Sequence, residues 1–204
     1  MRDCFALLKE PRRPWLEPEL LKQKFLTLSS AGHPDRVHQG TESEKRAAQE
    51  QYAELNSAYQ CLRNDKDRLA HFLELEAGAK PHPLQSVPAE LMELSFEISR
   101  ACREADALVA EKAHVGSPLL QVAFFERTQL MTEQLLARQA RIRSWQDQLR
   151  EELQNLDRQW SEAKAAGAVP PPMLFQRLEA LCRLFGFIAR WTAQLQERLT
   201  QLSF

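Results

Sequence analysis

Leucine and isoleucine recur at every seventh residue in the second half of this chain. The run comprises Leu135, Ile142, Leu149 and Leu156. An apolar heptad of this kind is typical of helices that pack side by side as in a coiled coil. The run cannot extend through residues 169–172, because three consecutive prolines stand there. We therefore expect one helix at about 118–167 and a second at about 173–202, folded back on the first as an antiparallel hairpin.

The composition favours an all-α chain throughout. Only six of the 204 residues are glycine, which disfavours a turn-rich β protein, and 44% are hydrophobic, enough for a sizeable core. Gly78, Pro81 and Pro83 interrupt the helical pattern. We expect an N-terminal domain at residues 1–76, a linker at 77–87, and a three-helix domain with an extended hairpin at 88–204.

Several classes of function are disfavoured by composition. Because 27 basic residues are balanced by 28 acidic ones, binding to nucleic acid or membrane is not expected. The four cysteines are scattered and show no C-x-x-C pair, so neither a zinc site nor a disulfide framework is expected. No cofactor is expected either. No Gly-rich loop or catalytic dyad indicates an enzyme. Residues 1–5 carry no apolar run of a signal peptide, and a cytoplasmic location is expected.

The N-terminal domain is expected to fold as short helices. An apolar turn covers residues 4–9, and a longer helix begins near Pro18, since proline is favoured in a first turn. Further helices are expected at about 44–63 and 66–75. The helix that begins near Pro18 has four apolar residues at helical spacing, which predict one buried face: Leu20, Leu21, Phe25 and Leu28.

The most specific motif is Gly32-His33-Pro34-Asp35-Arg36, between two of these helices. Pro34 has a fixed φ and moves His33 out of the helical region, so that His33 and Asp35 present a fixed polar contact. A simple capped turn is the alternative. A metal site of His33, Asp35 and His38 lacks a complete ligand set. A His/Asp general base lacks a partner nucleophile.

Residues 3–75 resemble a J-domain. The resemblance includes the motif, the helices beside it, the pattern Tyr-Ala-Glu-Leu-Asn-Ser-Ala-Tyr-Gln-Cys-Leu at 52–62, and Arg68. It implies a non-enzymatic co-chaperone whose His33-Pro34-Asp35 loop docks on a DnaK-type chaperone and stimulates its ATPase. Further residues expected to bind the chaperone are Lys22, Lys24 and Arg36. For Lys22 and Lys24 the alternative is an ordinary solvated helix face.

The chain departs from the J-domain pattern in one respect. J-domains usually carry a basic face along the second helix, close to the loop, but residues 27–32 carry no charge. Since basic charge mainly accelerates encounter with an acidic partner, we expect weak docking or docking to a specialised chaperone. One alternative is a J-like adaptor that does not stimulate hydrolysis. The other is a structural interaction protein, a coiled-coil dimer built on the extended helical hairpin.

The stretches 62–78, 90–94 and 127–135 are similar to the HscB co-chaperones of iron–sulfur cluster assembly. That resemblance implies that the C-terminal domain binds the scaffold protein IscU. The residues implied for this client are Leu91, Met92, and Phe185 or Phe187 on the last helix. Residues 137–167 look like an insertion, in which Trp145 and Trp160 either seal the hairpin or form the seam of a weak homodimer.

Overall fold

The computed structural model describes residues 2–32, 40–78, 91–112 and 118–203. Over these residues every regular element is helical, which confirms the predicted all-α class. None of the described helices has the combination of length and apolar character that a membrane-spanning segment requires. The helices are α1 (Cys4–Leu7), α2 (Pro18–Ala31), α3 (Glu42–Arg63), α4 (Asp65–Ala77), α5 (Met92–Lys112), α6 (Pro118–Ala165) and α7 (Pro172–Ser203).

Local side-chain caps determine where α3 and α4 begin. α3 begins at Glu42, two residues earlier than expected, because Thr41 and Glu44 form a reciprocal capping box. The Asn64 side chain accepts a hydrogen bond from the Asp67 amide at 3.1 Å and so caps α4. Gly78 ends α4 with a φ of 73°, a left-handed conformation that glycine adopts without strain.

The described residues form two compact units that do not follow chain order. The first unit comprises Met1–His82 together with Arg150–Arg183. The second of these ranges contains the end of α6 and the beginning of α7 and is called the hairpin tip below. The second unit comprises Pro83–Leu149 and Leu184–Phe204. The domain boundaries expected from the sequence, at 76 and 88, stay a prediction.

The core of the first unit combines the N-terminal helices with the hairpin tip. Trp160 is 2% exposed, and its ring meets Phe72 edge-on at 4.8 Å and Phe175 at 5.6 Å between centroids. Its indole N–H donates to the Arg12 carbonyl at 3.3 Å. Packing within the chain, one of the two roles considered for Trp160, is therefore confirmed. Other fully buried members are Phe5, Leu8, Leu62, Leu69 and Leu178.

A buried ion pair joins α4 to the hairpin tip inside this unit. Arg68 is 2% exposed, and its guanidinium donates to Asp65 at 2.7 Å and to the carbonyls of Pro14 and Leu62, both at 2.9 Å. The second Asp65 oxygen accepts from Arg150 at 2.8 Å. Burial lowers the pKa of Arg68, and the charge of Asp65 opposes that shift.

A second buried carboxylate lies further along the tip. Asp157 is 2% exposed and accepts hydrogen bonds from the Arg13 guanidinium at 3.0 Å and from the Trp15 amide at 3.1 Å. The segment between α1 and α2 is therefore attached to α6 by charged and neutral hydrogen bonds together.

The second unit buries the apolar faces of α5, the first part of α6 and the last part of α7. The predicted heptad positions Leu135, Ile142 and Leu149 are at most 6% exposed. Surface ion pairs join its helices: Arg141 contacts Glu97 at 2.6 Å, and Arg198 contacts Asp106 at 3.0 Å. The heptad pattern thus predicted the buried face of α6 correctly.

The predicted apolar face of α2 is wrong at one position. Leu21 is 2% exposed, and Phe25 and Leu28 are partly buried, but Leu20 is 61% exposed. Consecutive helical residues point about 100° apart. A face centred on Leu21, Phe25 and Leu28 therefore leaves Leu20 at its solvent edge.

Candidate functional site

The first candidate site is the connection between α2 and α3. His33, Pro34, Asp35 and Arg36, the centre of the predicted chaperone-binding site, lie outside the described residues. The helix ends on both sides of them are described. At the end of α2, the Gly32 amide donates to the Leu28 carbonyl at 3.1 Å.

The start of α3 is held by the capping box. The Thr41 amide donates to Glu44 at 2.7 Å, and the Glu44 amide donates back to the Thr41 hydroxyl at 3.3 Å. The hydrogen bond from the Thr41 backbone also lowers the pKa of Glu44. This cap fixes the chain where it enters α3.

Stacked aromatic rings hold α2 against α3. The Phe25 and Tyr59 rings lie 4.3 Å apart between centroids, with planes inclined by 9°. Leu21 and Leu55 are buried in the same unit. Such contacts fix the two helices that flank the motif relative to each other.

The two lysines predicted for chaperone binding have different surroundings. Lys24 donates to the Lys9 carbonyl and to Glu10, both at 2.8 Å, so it attaches α2 to the segment after α1. Lys22 is 54% exposed, and its ammonium lies 3.8 Å from Glu19. Lys22 therefore presents more of its charge to solvent than Lys24 does.

A shallow groove of the first unit adds basic residues beside Lys22. Its walls come from α2, the end of α3 and the hairpin tip. Four cationic residues and two acidic ones line it, an excess of two positive charges: Lys22, Arg63, Arg68 and Arg150 with Glu19 and Asp65. Sequence reasoning missed Arg63 and Arg150, because they lie far from the motif along the chain.

The second candidate site is an apolar surface at the start of α5. Met92 is 41% exposed and Phe96 is 66% exposed, and they stand four positions apart, so they lie on one face of the helix. Leu91 and Leu94, on the opposite face, are 6% and 8% exposed. Among the residues predicted for client binding, Met92 presents the largest surface.

The other aromatic candidates are core residues of the second unit. Phe185 is 2% exposed and Phe187 is 6% exposed. The Phe187 ring packs against Trp191 at 5.7 Å, and the Arg190 guanidinium lies over its face at 5.4 Å. The structure does not bring either ring to the surface beside Met92, and their role in client binding stays a prediction.

Two solved structures have the same fold. The chaperone HscB from Vibrio cholerae matches with a TM-score of 0.59 and 21% identity, over 96% of each chain. The human co-chaperone protein HscB matches with a TM-score of 0.53 and 16% identity, over 98% of this chain and 81% of that one. No family model matches the chain. These likenesses confirm the HscB-type fold that the sequence resemblance implied.

Proposed function

We propose that the chain is a J-domain co-chaperone of the HscB type. It would stimulate ATP hydrolysis by a DnaK-type chaperone and deliver a client, the iron–sulfur scaffold IscU. One observation carries the proposal: the His33-Pro34-Asp35 motif stands between α2 and α3 in a chain with the HscB fold. Neither the motif nor the fold would support this function alone, since one fold serves many functions.

In this proposal the chain contributes contacts, and the chemistry belongs to the chaperone. The stacked Phe25 and Tyr59 rings hold α2 against α3, the two helices that flank the motif. Lys22 and Arg63 supply positive charge beside α2, which compensates in part for the uncharged residues 27–32. Such charge accelerates encounter with an acidic surface. The chain itself would not be an enzyme.

Replacing His33 by glutamine is expected to abolish stimulation. The change removes the imidazole of the motif and does not alter Thr41 or Glu44, which cap the start of α3. The steady-state ATPase rate of a DnaK-type chaperone from the same cell is measured at increasing concentrations of the chain. His38→Gln, a change of the same kind outside the motif, is the control and should stimulate like the wild type. A wild-type chain that does not stimulate any DnaK-type chaperone of that cell would contradict the proposal.

Client binding is assigned to the exposed surface of Met92 and Phe96. Large apolar side chains exposed together are candidate contact residues. Methionine also adapts its shape to a partner. Linkage of this surface to the J-domain raises the effective concentration of the client at the chaperone.

The double variant Met92→Ala/Phe96→Ala is expected to weaken binding of IscU at least tenfold. Each truncation of a central contact typically costs on the order of 1–2 kcal/mol, and about 1.4 kcal/mol is a factor of ten. Titration calorimetry measures the dissociation constant. A matched control replaces the same residue types elsewhere, Met173 and Phe125, which are 78% and 67% exposed. If the control variant weakened IscU binding equally, Met92 and Phe96 could not be assigned as the client-binding surface.

A non-stimulating J-like adaptor is the second candidate. The hydrogen bonds of Lys24 to the Lys9 carbonyl and to Glu10 favour this candidate, because they leave less of the lysine's charge available to a chaperone. The adaptor would bind IscU but leave the chaperone's ATPase rate unchanged. The ATPase rate with the wild-type chain separates the two candidates, because only the stimulating co-chaperone raises it.

A further inference from the structure

Two cysteines and a histidine that are distant in the sequence meet in the first unit. Cys4 begins α1, Cys61 lies near the end of α3, and His71 lies in α4. One ligand atom from each residue, two thiol sulfurs and an imidazole nitrogen, lies within 4.8 Å of the other two. Cys4 and Cys61 are partly exposed and His71 is buried, so a small ion can reach the cluster.

The imidazole is held in place by its neighbours. The His71 ring stacks on Phe5 at 5.7 Å between centroids, with planes inclined by 9°. Its Nε2 accepts a hydrogen bond from the Cys4 amide at 3.0 Å, so this nitrogen is unprotonated, and a metal ion bound at Nε2 would take the place of that amide hydrogen. A ligand whose orientation is fixed in advance loses little freedom on binding a metal.

We propose that Cys4, Cys61 and His71 bind a divalent metal ion that prefers thiolate ligands, and that this ion is Zn²⁺. Two thiolates and one imidazole are donors that select zinc, with a fourth position open to water. Zinc–sulfur and zinc–nitrogen bonds of about 2.3 and 2.0 Å place tetrahedral ligand atoms roughly 3.5–3.8 Å apart. The cluster therefore needs to contract by only about 1 Å. The ion would join α1, α3 and α4.

A metal ion that binds Cys4 and Cys61 has to displace their thiol protons and release them to solvent, so its binding weakens as the pH falls.

The chain provides its own control cysteines. Cys102 and Cys182 are buried and are not part of the cluster. A Cys102→Ser/Cys182→Ser variant removes as many thiols as a Cys4→Ser/Cys61→Ser variant does. Any difference in metal binding between these two variants then reports on the position of the thiols and not on their number.

The test is Zn²⁺ binding by the reduced full-length chain in competition with a chromophoric chelator. We expect the wild type to bind one equivalent with a micromolar or lower dissociation constant. The affinity should be at least tenfold lower in Cys4→Ser, in Cys61→Ser and in the Cys4→Ser/Cys61→Ser variant. The Cys102→Ser/Cys182→Ser control should bind like the wild type. Added Zn²⁺ should raise the Tm of the wild type and leave that of Cys4→Ser unchanged.

Circular dichroism of each variant shows whether it is folded. If Cys61→Ser is unfolded, the metal affinity of Cys4→Ser alone decides the test. Absence of stoichiometric binding by the wild type would overturn the proposal. Binding by folded Cys4→Ser as tight as that of the wild type would overturn it too.

Discussion

Replacing Trp160 by alanine is expected to lower the free energy of unfolding by about 3–5 kcal/mol. The side chain is 2% exposed and packs edge-on against Phe72 and Phe175. Truncation leaves a cavity that these rings cannot close, and the Arg12 carbonyl loses the indole N–H. Urea unfolding followed by circular dichroism measures the loss. The reason is structural: the hairpin tip supplies part of the core of the first unit.

The control for Trp160 is Phe125→Ala, on the same helix. Phe125 is 67% exposed, so its truncation should change the free energy of unfolding by about 0.5 kcal/mol or less. If Trp160→Ala were as stable as Phe125→Ala, the hairpin tip would not be packed against the N-terminal helices.

Replacing Asp65 by asparagine is expected to cost about 3–5 kcal/mol, because it removes one partner of a buried ion pair. The volume of the side chain hardly changes, so the loss reports on charge. Arg68, 2% exposed, keeps its two backbone carbonyl acceptors but loses the carboxylate. Glu50→Gln, which breaks an exposed pair with Arg46, is the control and should have little effect.

A double variant distinguishes charge from packing. When Arg68→Met is combined with Asp65→Asn, the buried Arg68–Asp65 pair is removed as a whole, and only the 39% exposed Arg150 lacks its carboxylate partner. The double variant should therefore lose less free energy of unfolding than the sum of the two single losses. Strictly additive losses would show that the two residues do not interact as a pair.

Helix positions followed closely from local patterns. The prolines at 170–172 predicted a break that the structure places between Ala165 and Pro172. The heptad residues predicted the buried face of α6. These features depend on neighbours within a few residues, which a single sequence contains.

The partners of the buried faces did not follow from the sequence. Periodicity shows that Trp160 is buried but not that Phe72 covers it. An aspartate at position 157 would be expected at the surface. Its carboxylate is instead buried and accepts hydrogen bonds from the Arg13 guanidinium and the Trp15 amide. Such pairings join residues more than 80 positions apart, and local patterns carry no information about them.

The aromatic candidates on α7 illustrate the same limit. Phe185 and Phe187 point in nearly opposite directions on a helix, so a one-sided apolar face would expose one of them. Both are buried, because neighbours cover this stretch of α7 on more than one side. The exposure of Phe96 follows from the same packing: Leu91, Leu94 and Ile98 form the inward face of α5.

Single-turnover ATP hydrolysis tests the central claim most directly. A DnaK-type chaperone preloaded with ATP is mixed with the wild-type chain or His33→Gln, each with and without IscU. We expect the wild type to accelerate ATP hydrolysis by the chaperone and IscU to increase that acceleration further. With His33→Gln, hydrolysis should stay at the basal rate of the chaperone alone. Hydrolysis at the basal rate with the wild-type chain and IscU together would contradict the account.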